Sequence, residues 1–166
     1  MNQEKKVYEV LDALDIEYDI IHHDAVYTVA DVKKSKLDFE AVGCKNLFLK
    51  DNKGKNHFLV IVEYDKSVDL NQLGTQNGWG RLGFASESRL MTHLGLTHGS
   101  VSPFGIINNK DCSVKVIVDE CLLDAKKLSF HPNVNTVTIV LSSDDFIKYL
   151  NSRENEVHLM NVPSKL

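Results

Sequence analysis

Apolar residues recur along this 166-residue chain at the spacings of both helices and strands. Val7, Val10, Leu11 and Leu14 repeat at helical spacing, which predicts an amphipathic helix over residues 3–15. Capping residues before short apolar stretches predict further helices over residues 28–36, 69–74, 86–94 and 144–150. Alternating or β-branched apolar runs predict strands over residues 18–22, 44–50, 57–62, 82–85, 114–118 and 136–141. This interleaved order predicts an α/β or α+β domain around a mixed, mostly antiparallel sheet.

The segment Gly99–Gly105 interrupts this pattern with two glycines, two serines and a proline. Glycine permits close approach to the backbone, and Pro103 fixes its own φ while restricting Ser102 before it. Such a stiff segment can present main-chain N–H and C=O groups to a small ligand. A plain surface turn has the same composition and remains the alternative. The apolar residues 104–107 predict that the segment is anchored to a core strand.

Composition narrows the class of protein. A hydrophobic fraction of 43% is enough for one globular domain, residues 1–166. No apolar run has transmembrane length, and no signal-peptide region follows the charged start, so we expect a cytoplasmic protein without a membrane partner. The net charge of −4 argues against broad nucleic-acid binding. Residues 33–55 contain seven lysines and three carboxylates. This local surplus of positive charge would suit binding of a few phosphates, or it is an ordinary solvated surface.

Several other candidate sites fail on their context. Residues 78–83 match G-x-G-x-x-G, but a loop precedes them and a strand is predicted after them, so no dinucleotide cofactor is expected. The seven histidines and three cysteines show neither zinc-helix nor C-x-x-C spacing, and no metal is expected. Cys44 beside Lys45 could be an activated thiolate, although its apolar strand favours a buried structural cysteine.

Three segments together resemble a known family: residues 43–49, residues 81–105 and residues 129–133. They combine a lysine on a strand, a G-x-x-x-P loop and a His-Pro segment in the order found in the YbaK-like, prolyl-tRNA-synthetase-associated editing domains. Within that superfamily of aminoacyl-tRNA deacylases, the chain is most similar to the free-standing ProXp-ala or PrdX type, which clears alanine from proline tRNA. The resemblance implies a compact, partly rolled mixed sheet surrounded by helices. The family often has Asn-Asp where this chain has Asn108-Asn109, which leaves open any role that needs a carboxylate there.

The resemblance also implies site residues. The catalytic set is Lys45, Gly99, Ser100, Val101, Ser102, Pro103 and His131. The amino-acid pocket is expected to contain Ile20, Tyr27, Thr28, Val29, Asn46 and Phe48, and the tRNA contacts are expected at Lys45, Asn46 and Lys50. We expect Lys45 and the G-x-x-x-P loop to converge on one small cavity.

The implied function is hydrolysis of mischarged proline tRNA, with alanyl-tRNA as the first candidate substrate. No cofactor is implied. The partner is the tRNA acceptor end carrying a small amino acid, and a transient contact with prolyl-tRNA synthetase and the oligomeric state are left open. The alternatives are a non-catalytic sensor of aminoacyl-tRNA or free amino acid, and a cysteinyl-tRNA deacylase of the same superfamily.

Overall fold

The computed structural model describes residues 2–24 and 41–165. Its α-helices are α1 (Gln3–Ala13), α2 (Leu70–Gln76), α3 (Glu87–Leu94) and α4 (Ser143–Asn151), with 3-10 helices at Pro103–Asn108 and Glu120–Asp124. Its strands are β1 (Asp19–His22), β2 (Ala41–Asp51), β3 (His57–Glu63), β4 (Leu82–Phe84), β5 (Val114–Asp119), β6 (Lys127–Phe130), β7 (Val137–Ser142) and β8 (Val157–Met160). The helix predicted over residues 28–36 lies outside the described residues.

All of these strands belong to one mixed sheet with the order β1-β7-β6-β2-β3-β5-β8, and β4 adds to β2 outside this path. The pairs β1·β7, β2·β3, β2·β4 and β6·β7 are antiparallel, whereas β2·β6, β3·β5 and β5·β8 are parallel. The predicted mixed α/β domain is therefore confirmed, including the hairpin of β2 and β3.

The long strand β2 separates two hydrophobic clusters because successive side chains point to opposite faces of a sheet. Cys44 and Phe48 belong to the larger cluster, which also contains Phe104, Phe130 and residues of helices α1, α3 and α4. Leu49 belongs to the smaller cluster, and Leu47 packs against it. Neighbouring side chains of β2 thus pack on opposite faces of the sheet.

Local capping signals have the predicted effect. The Ser86 side chain accepts a hydrogen bond from the Arg89 N–H at 3.2 Å, and helix α3 ends at Gly95 with a left-handed φ of 65°. The Asp69 side chain caps helix α2 in the same way, by accepting from the Gln72 N–H at 3.0 Å. Gly74 does not end this helix as predicted but lies inside it, where any Cβ would collide with the Gly80 carbonyl.

Two features of the secondary structure differ from the sequence prediction. The apolar residues after Pro103 form a 3-10 helix, not a strand, and strands β6 and β8 were not predicted. The glycines of residues 78–83 connect helix α2 to strand β4, so the strand-turn-helix order of a dinucleotide site is missing there. Within the described ranges, no helix has the length and apolar character needed to cross a membrane.

Candidate active site

The loop Gly99–Pro103 is held rigidly where it enters the 3-10 helix. Gly99 has a φ of 91°, a conformation that side-chain-bearing residues rarely adopt. The buried Ser102 hydroxyl accepts a hydrogen bond from the Phe104 N–H at 3.1 Å, and the buried Tyr149 hydroxyl donates to the Pro103 carbonyl at 3.0 Å. The Ser102 and Pro103 groups predicted to be catalytic are therefore committed to holding the loop in shape.

The same loop retains free main-chain donors. The Ser100 N–H donates to the Thr97 carbonyl at 3.1 Å, but the N–H groups of Gly99, Val101 and Ser102 have no hydrogen-bond acceptor among residues 2–24 and 41–165. Several N–H groups fixed in one short segment form the kind of preorganised array that stabilises a developing oxyanion. This property is compatible with the role predicted for the loop.

Asn46 links strand β2 to this loop. Its Nδ2 group donates to the Val101 carbonyl at 3.3 Å, and its buried Oδ1 atom has no partner among the described residues. An unpaired buried amide oxygen costs free energy unless a ligand or water donates to it. Asn46 is therefore both a support for the loop and a candidate acceptor for a donor group of the substrate.

Asn133 links the His-Pro segment to the loop from the other side. Its Nδ2 group donates to the Phe104 carbonyl at 3.3 Å, and Asn133 is 4% exposed with a φ of 65°. Asparagine tolerates this left-handed backbone better than most residues. The structure thus brings two of the three resembling segments into contact through Asn133, and Asn46 connects the remaining one.

His131 lies at the margin of a small cavity. Its Nδ1 atom bonds the Val137 carbonyl at 2.9 Å, so the ring donates from Nδ1 and leaves Nε2 as an acceptor. Burial lowers the pKa of the imidazole, and this effect is opposed by the Val137 hydrogen bond and reinforced by His23. A neutral, oriented ring is suited to positioning a substrate or water. The cavity has a volume of about 20 Å³ and is lined by Gly43, Cys44, Tyr64, Ser129, Phe130, His131 and Thr138.

Lys45 lies on β2 between Cys44 and Asn46 but points the other way. Its cross-strand partner is Val62 of the smaller cluster, whereas Asn46 faces the loop. Partial burial lowers the pKa of the Lys45 ammonium, and Asp65 opposes this effect. Lys45 and the loop therefore lie on opposite faces of one strand, and they can meet a common ligand only around its edge.

That edge is open to ligands over a defined stretch. Strand β6 pairs with residues 41–43 of β2, and strand β4 pairs with residues 49–51 on the same side. Between them, residues 44–48 pair with no described strand on that side, and we call this stretch the β2 notch. Continuing the parallel register from Ser129 opposite Gly43 brings His131 level with Lys45. Lys45, Asn46 and His131 are thus at similar levels along this edge of β2. The small cavity beside His131 is lined by neither Lys45 nor the Gly99–Pro103 loop, so the predicted convergence of both on one cavity is not seen among the described residues.

The other predicted pocket and tRNA-contacting residues that the structure describes do not line the cavity beside His131. Phe48 is 5% exposed and packs on His57 with ring centroids 5.6 Å apart, so it belongs to the core beneath the notch. Lys50 lies at the far end of β2, where its Nζ group donates to the Asp51 carbonyl at 3.4 Å. Ile20 lines a separate groove of about 700 Å³ and is not brought to the His131 cavity. Tyr27, Thr28 and Val29 lie outside the described residues.

Contacts also decide two points that the sequence left open: whether Cys44 is a reactive thiolate, and what role Asn109 has. Burial raises the pKa of the Cys44 thiol, and its Sγ donates to the Val42 carbonyl at 3.6 Å, so Cys44 is a buried thiol and not an activated nucleophile. Asn109 is buried and its Oδ1 accepts from the Val114 N–H at 3.0 Å, which is a structural role. No group of three metal-ligating side chains lies together in the part of the chain that the structure describes.

Residues that sequence reasoning missed complete the site. Asn133 belongs to the His-Pro segment 129–133, but nothing in its identity signals a bridge to Phe104. His23 and Thr138 form a hydrogen bond of 2.8 Å beside His131, with the two histidine rings 5.9 Å apart. These contacts join strands distant in sequence, so no local pattern could have predicted them.

Comparison with known proteins places this geometry in a family. Residues 23–149 match the model of the aminoacyl-tRNA editing domain. The prolyl-tRNA editing protein ProX of Acetoanaerobium sticklandii is 40% identical over 155 residues, which cover 93% of this chain and 94% of that protein. The prolyl-tRNA synthetase associated domain-containing protein 1 of Mus musculus is 33% identical and covers 91% of both chains.

A solved structure supports the fold. A crystal structure described as a trans-editing enzyme for prolyl tRNA synthetase aligns with a TM-score of 0.74, covering 99% of both chains at 16% identity. This similarity confirms the predicted architecture, and the sequence matches confirm the predicted superfamily. The chain belongs to the aminoacyl-tRNA editing domain family.

Proposed function

We propose that this protein is a deacylase that hydrolyses the aminoacyl ester of proline tRNA mischarged with a small amino acid, alanine being the first candidate. Membership of the editing family and the description of ProX as a prolyl-tRNA editing protein support this reaction class. The observation that carries the proposal is the rigid loop whose Gly99, Val101 and Ser102 N–H groups lack described acceptors, next to Asn46.

The main requirement of ester hydrolysis is that the protein stabilises the negative charge that develops on the carbonyl oxygen. A water oxygen attacks the ester carbonyl carbon, the carbonyl oxygen becomes negatively charged, and the bond to the ribose oxygen then breaks. The ribose oxygen leaves with one proton of the attacking water, and the amino acid leaves as its carboxylate after the other proton passes to solvent. One well-placed N–H donor to the developing oxyanion is worth roughly 3 kcal/mol, so the loop supplies the main chemical contribution.

The side chains around the β2 notch then have positioning roles. The Asn46 Oδ1 atom accepts from the α-amino group or a ribose hydroxyl, and the Lys45 ammonium binds a phosphate or ribose oxygen. The neutral His131 ring orients the amino acid or water through Nε2. No described side chain is assigned as general base, so the neighbouring ribose hydroxyl is proposed to help activate the water.

Selectivity follows from size in this proposal. A site built for proline cannot strongly reject a smaller amino acid, because missing methylenes cost only about 1–3 kcal/mol. A second, smaller pocket admits alanine and excludes proline by steric clash. The cavity of about 20 Å³ beside His131 has room for about one methyl-sized group, which is compatible with alanine.

The decisive experiment compares alanyl-, cysteinyl- and prolyl-charged proline tRNA as substrates. We expect the alanyl ester to be hydrolysed fastest and the prolyl ester to survive. Replacement Lys45→Ala removes a charge-assisted contact worth about 1.5–3 kcal/mol, so kcat/KM should fall roughly 10- to 100-fold. Lys148→Ala is the matched control, because Lys148 is an exposed lysine on helix α4.

Each alternative has its own signature in this assay. If the wild type binds alanyl-tRNA without hydrolysing it, the protein is a sensor and not an enzyme. If the cysteinyl ester is hydrolysed faster than the alanyl ester, the preferred substrate is cysteinyl-tRNA. Equal activities of the Lys45 and Lys148 variants would remove Lys45 from the site.

A further inference from the structure

Phe84 is an outlier among the phenylalanines of the described residues. Five of them, Phe48, Phe58, Phe104, Phe130 and Phe146, are at most 5% exposed, and each packs against another ring. Phe84 is 65% exposed and contacts no other ring in the described part of the chain. A ring exposed to this degree gains little from burial, and most of its surface is available to a ligand.

The position of Phe84 next to the candidate site suggests which ligand. Phe84 lies opposite Leu49 at the end of β4, and the Ala85 N–H that follows donates to the Phe48 carbonyl at 3.0 Å. Phe84 therefore lies beside one end of the β2 notch. Because directly paired residues share a face of the sheet, Phe84 lies on the face of Leu49 and Lys45, opposite to that of Asn46. Four residues of strand separate its level from that of Lys45, which corresponds to about 13 Å.

The cationic side chains near Phe84 are divided between the two faces of the sheet: Lys45 shares the face of Phe84, whereas Lys50 points to the other face. Arg81 is exposed just before β4, and Lys50 lies opposite Gly83. Neither side chain forms an ion pair with any described carboxylate. Of the neighbouring acidic groups, Asp51 is engaged by Asn56 at 2.7 Å and by the Lys55 N–H at 2.9 Å, and Glu87 is exposed.

We infer that Phe84, on the same face of the sheet as Lys45, is a stacking platform for an unpaired base of the RNA strand whose aminoacylated end enters the β2 notch. This inference rests on the proposed function. Proteins that bind single-stranded RNA combine a positively charged track with aromatic side chains on which bases stack. Stacked nucleotides advance about 3.4 Å per step, so about 13 Å separates the level of Lys45 from a base about four steps away.

The test measures binding and turnover separately. Stacking on one aromatic ring is worth about 1–3 kcal/mol, so Phe84→Ala should weaken binding of an uncharged oligoribonucleotide ending in CCA roughly 5- to 100-fold. Phe84→Tyr should retain affinity because it keeps the ring, whereas Phe84→Leu should behave like alanine. The matched control is Met91→Ala, since Met91 is an apolar residue of α3 with 51% exposure.

Turnover adds a readout that a structural role would not change. On alanyl-tRNA, Phe84→Ala should raise KM with little effect on kcat, because the ring contacts a base distant from the reacting ester. On a small alanyl ester without the RNA strand, the same variant should match the wild type. Circular dichroism and the denaturation midpoint should be unchanged.

Four results would overturn the inference. They are unchanged RNA affinity of Phe84→Ala, full affinity of Phe84→Leu, an equal loss in Met91→Ala, and a change of oligomeric state with Phe84→Ala at unaltered RNA binding. The last result would make Phe84 a protein contact. A wild type that binds the oligonucleotide through Phe84 but hydrolyses no ester would refute the proposed function and leave the stacking platform in place.

Discussion

The hydrogen bond from Tyr149 to the Pro103 carbonyl gives a direct test of how the loop is held. Tyr149 is fully buried, and its hydroxyl donates to this carbonyl at 3.0 Å. Tyr149→Phe keeps the ring and its packing on Phe104, whose centroid is 4.9 Å away, but leaves the carbonyl without this donor. Pro103 begins the 3-10 helix, so its carbonyl still serves the hydrogen bonding of that helix, and the variant loses one buried hydrogen bond. Such a loss costs about 0.5–1.5 kcal/mol, and we expect the free energy of unfolding to fall by that amount.

The assay is urea denaturation together with thermal unfolding. For a domain of this size each kcal/mol corresponds to a shift in Tm of roughly 2–4 °C. The matched control is Tyr18→Phe, since the Tyr18 hydroxyl donates to the Asp12 carboxylate at 2.9 Å on the exposed surface. That variant should lose less than about 0.5 kcal/mol. If the two variants are equally stable, the Tyr149 bond is not what holds the loop.

The loop should also lose activity when it is loosened. The Ser102 cap and the bond of 3.0 Å from the Gly105 N–H to the Ser102 carbonyl remain in Tyr149→Phe, so the loop keeps most of its shape. We therefore expect a decrease in kcat at constant KM for alanyl-tRNA. An unchanged kcat in a destabilised variant would show that the loop geometry is set by the remaining bonds alone.

Two further predictions concern backbone and charge. Gly99→Ala places an alanine at a φ of 91°, so we expect it to lower the free energy of unfolding by about 1–2 kcal/mol and also to lower kcat. Gly83→Ala is the control and should lower stability less, because nothing lies within 4 Å of its Cβ position. Equal denaturation midpoints of the two variants would contradict this prediction. Burial, reinforced by His93 and Arg89, lowers the pKa of His57 from 6.5 to about 4, so the unfolded chain binds more protons between these values and stability should fall as pH drops from 6.5 to 4. His57→Gln should flatten that part of the stability-pH curve, and an equally steep curve in the variant would assign the effect to another group.

Much of the fold could be predicted from local sequence because local physics determines it. The spacing of Val7 and Leu11 buries one face of α1, and Ser86 and Gly95 set the ends of α3 through hydrogen bonding and φ. The β2–β3 hairpin follows from two apolar runs around a turn. Strands β6 and β8 escaped prediction because each has four residues and owes its conformation to a partner strand.

The candidate site divides in the same way between sequence and tertiary structure. Residue types alone identified the stiff Gly99–Pro103 loop, because glycine and proline limit the backbone angles. The three segments and the functional lysine were identified by their resemblance to a known family. Only the tertiary structure decided that Asn46 and not Lys45 faces the loop, that Asn133 bridges to Phe104, and that Ile20 lies in another groove. The physical reason is that strand register sets which face a side chain occupies and which distant segment it meets, and register is a property of pairing and not of any one segment.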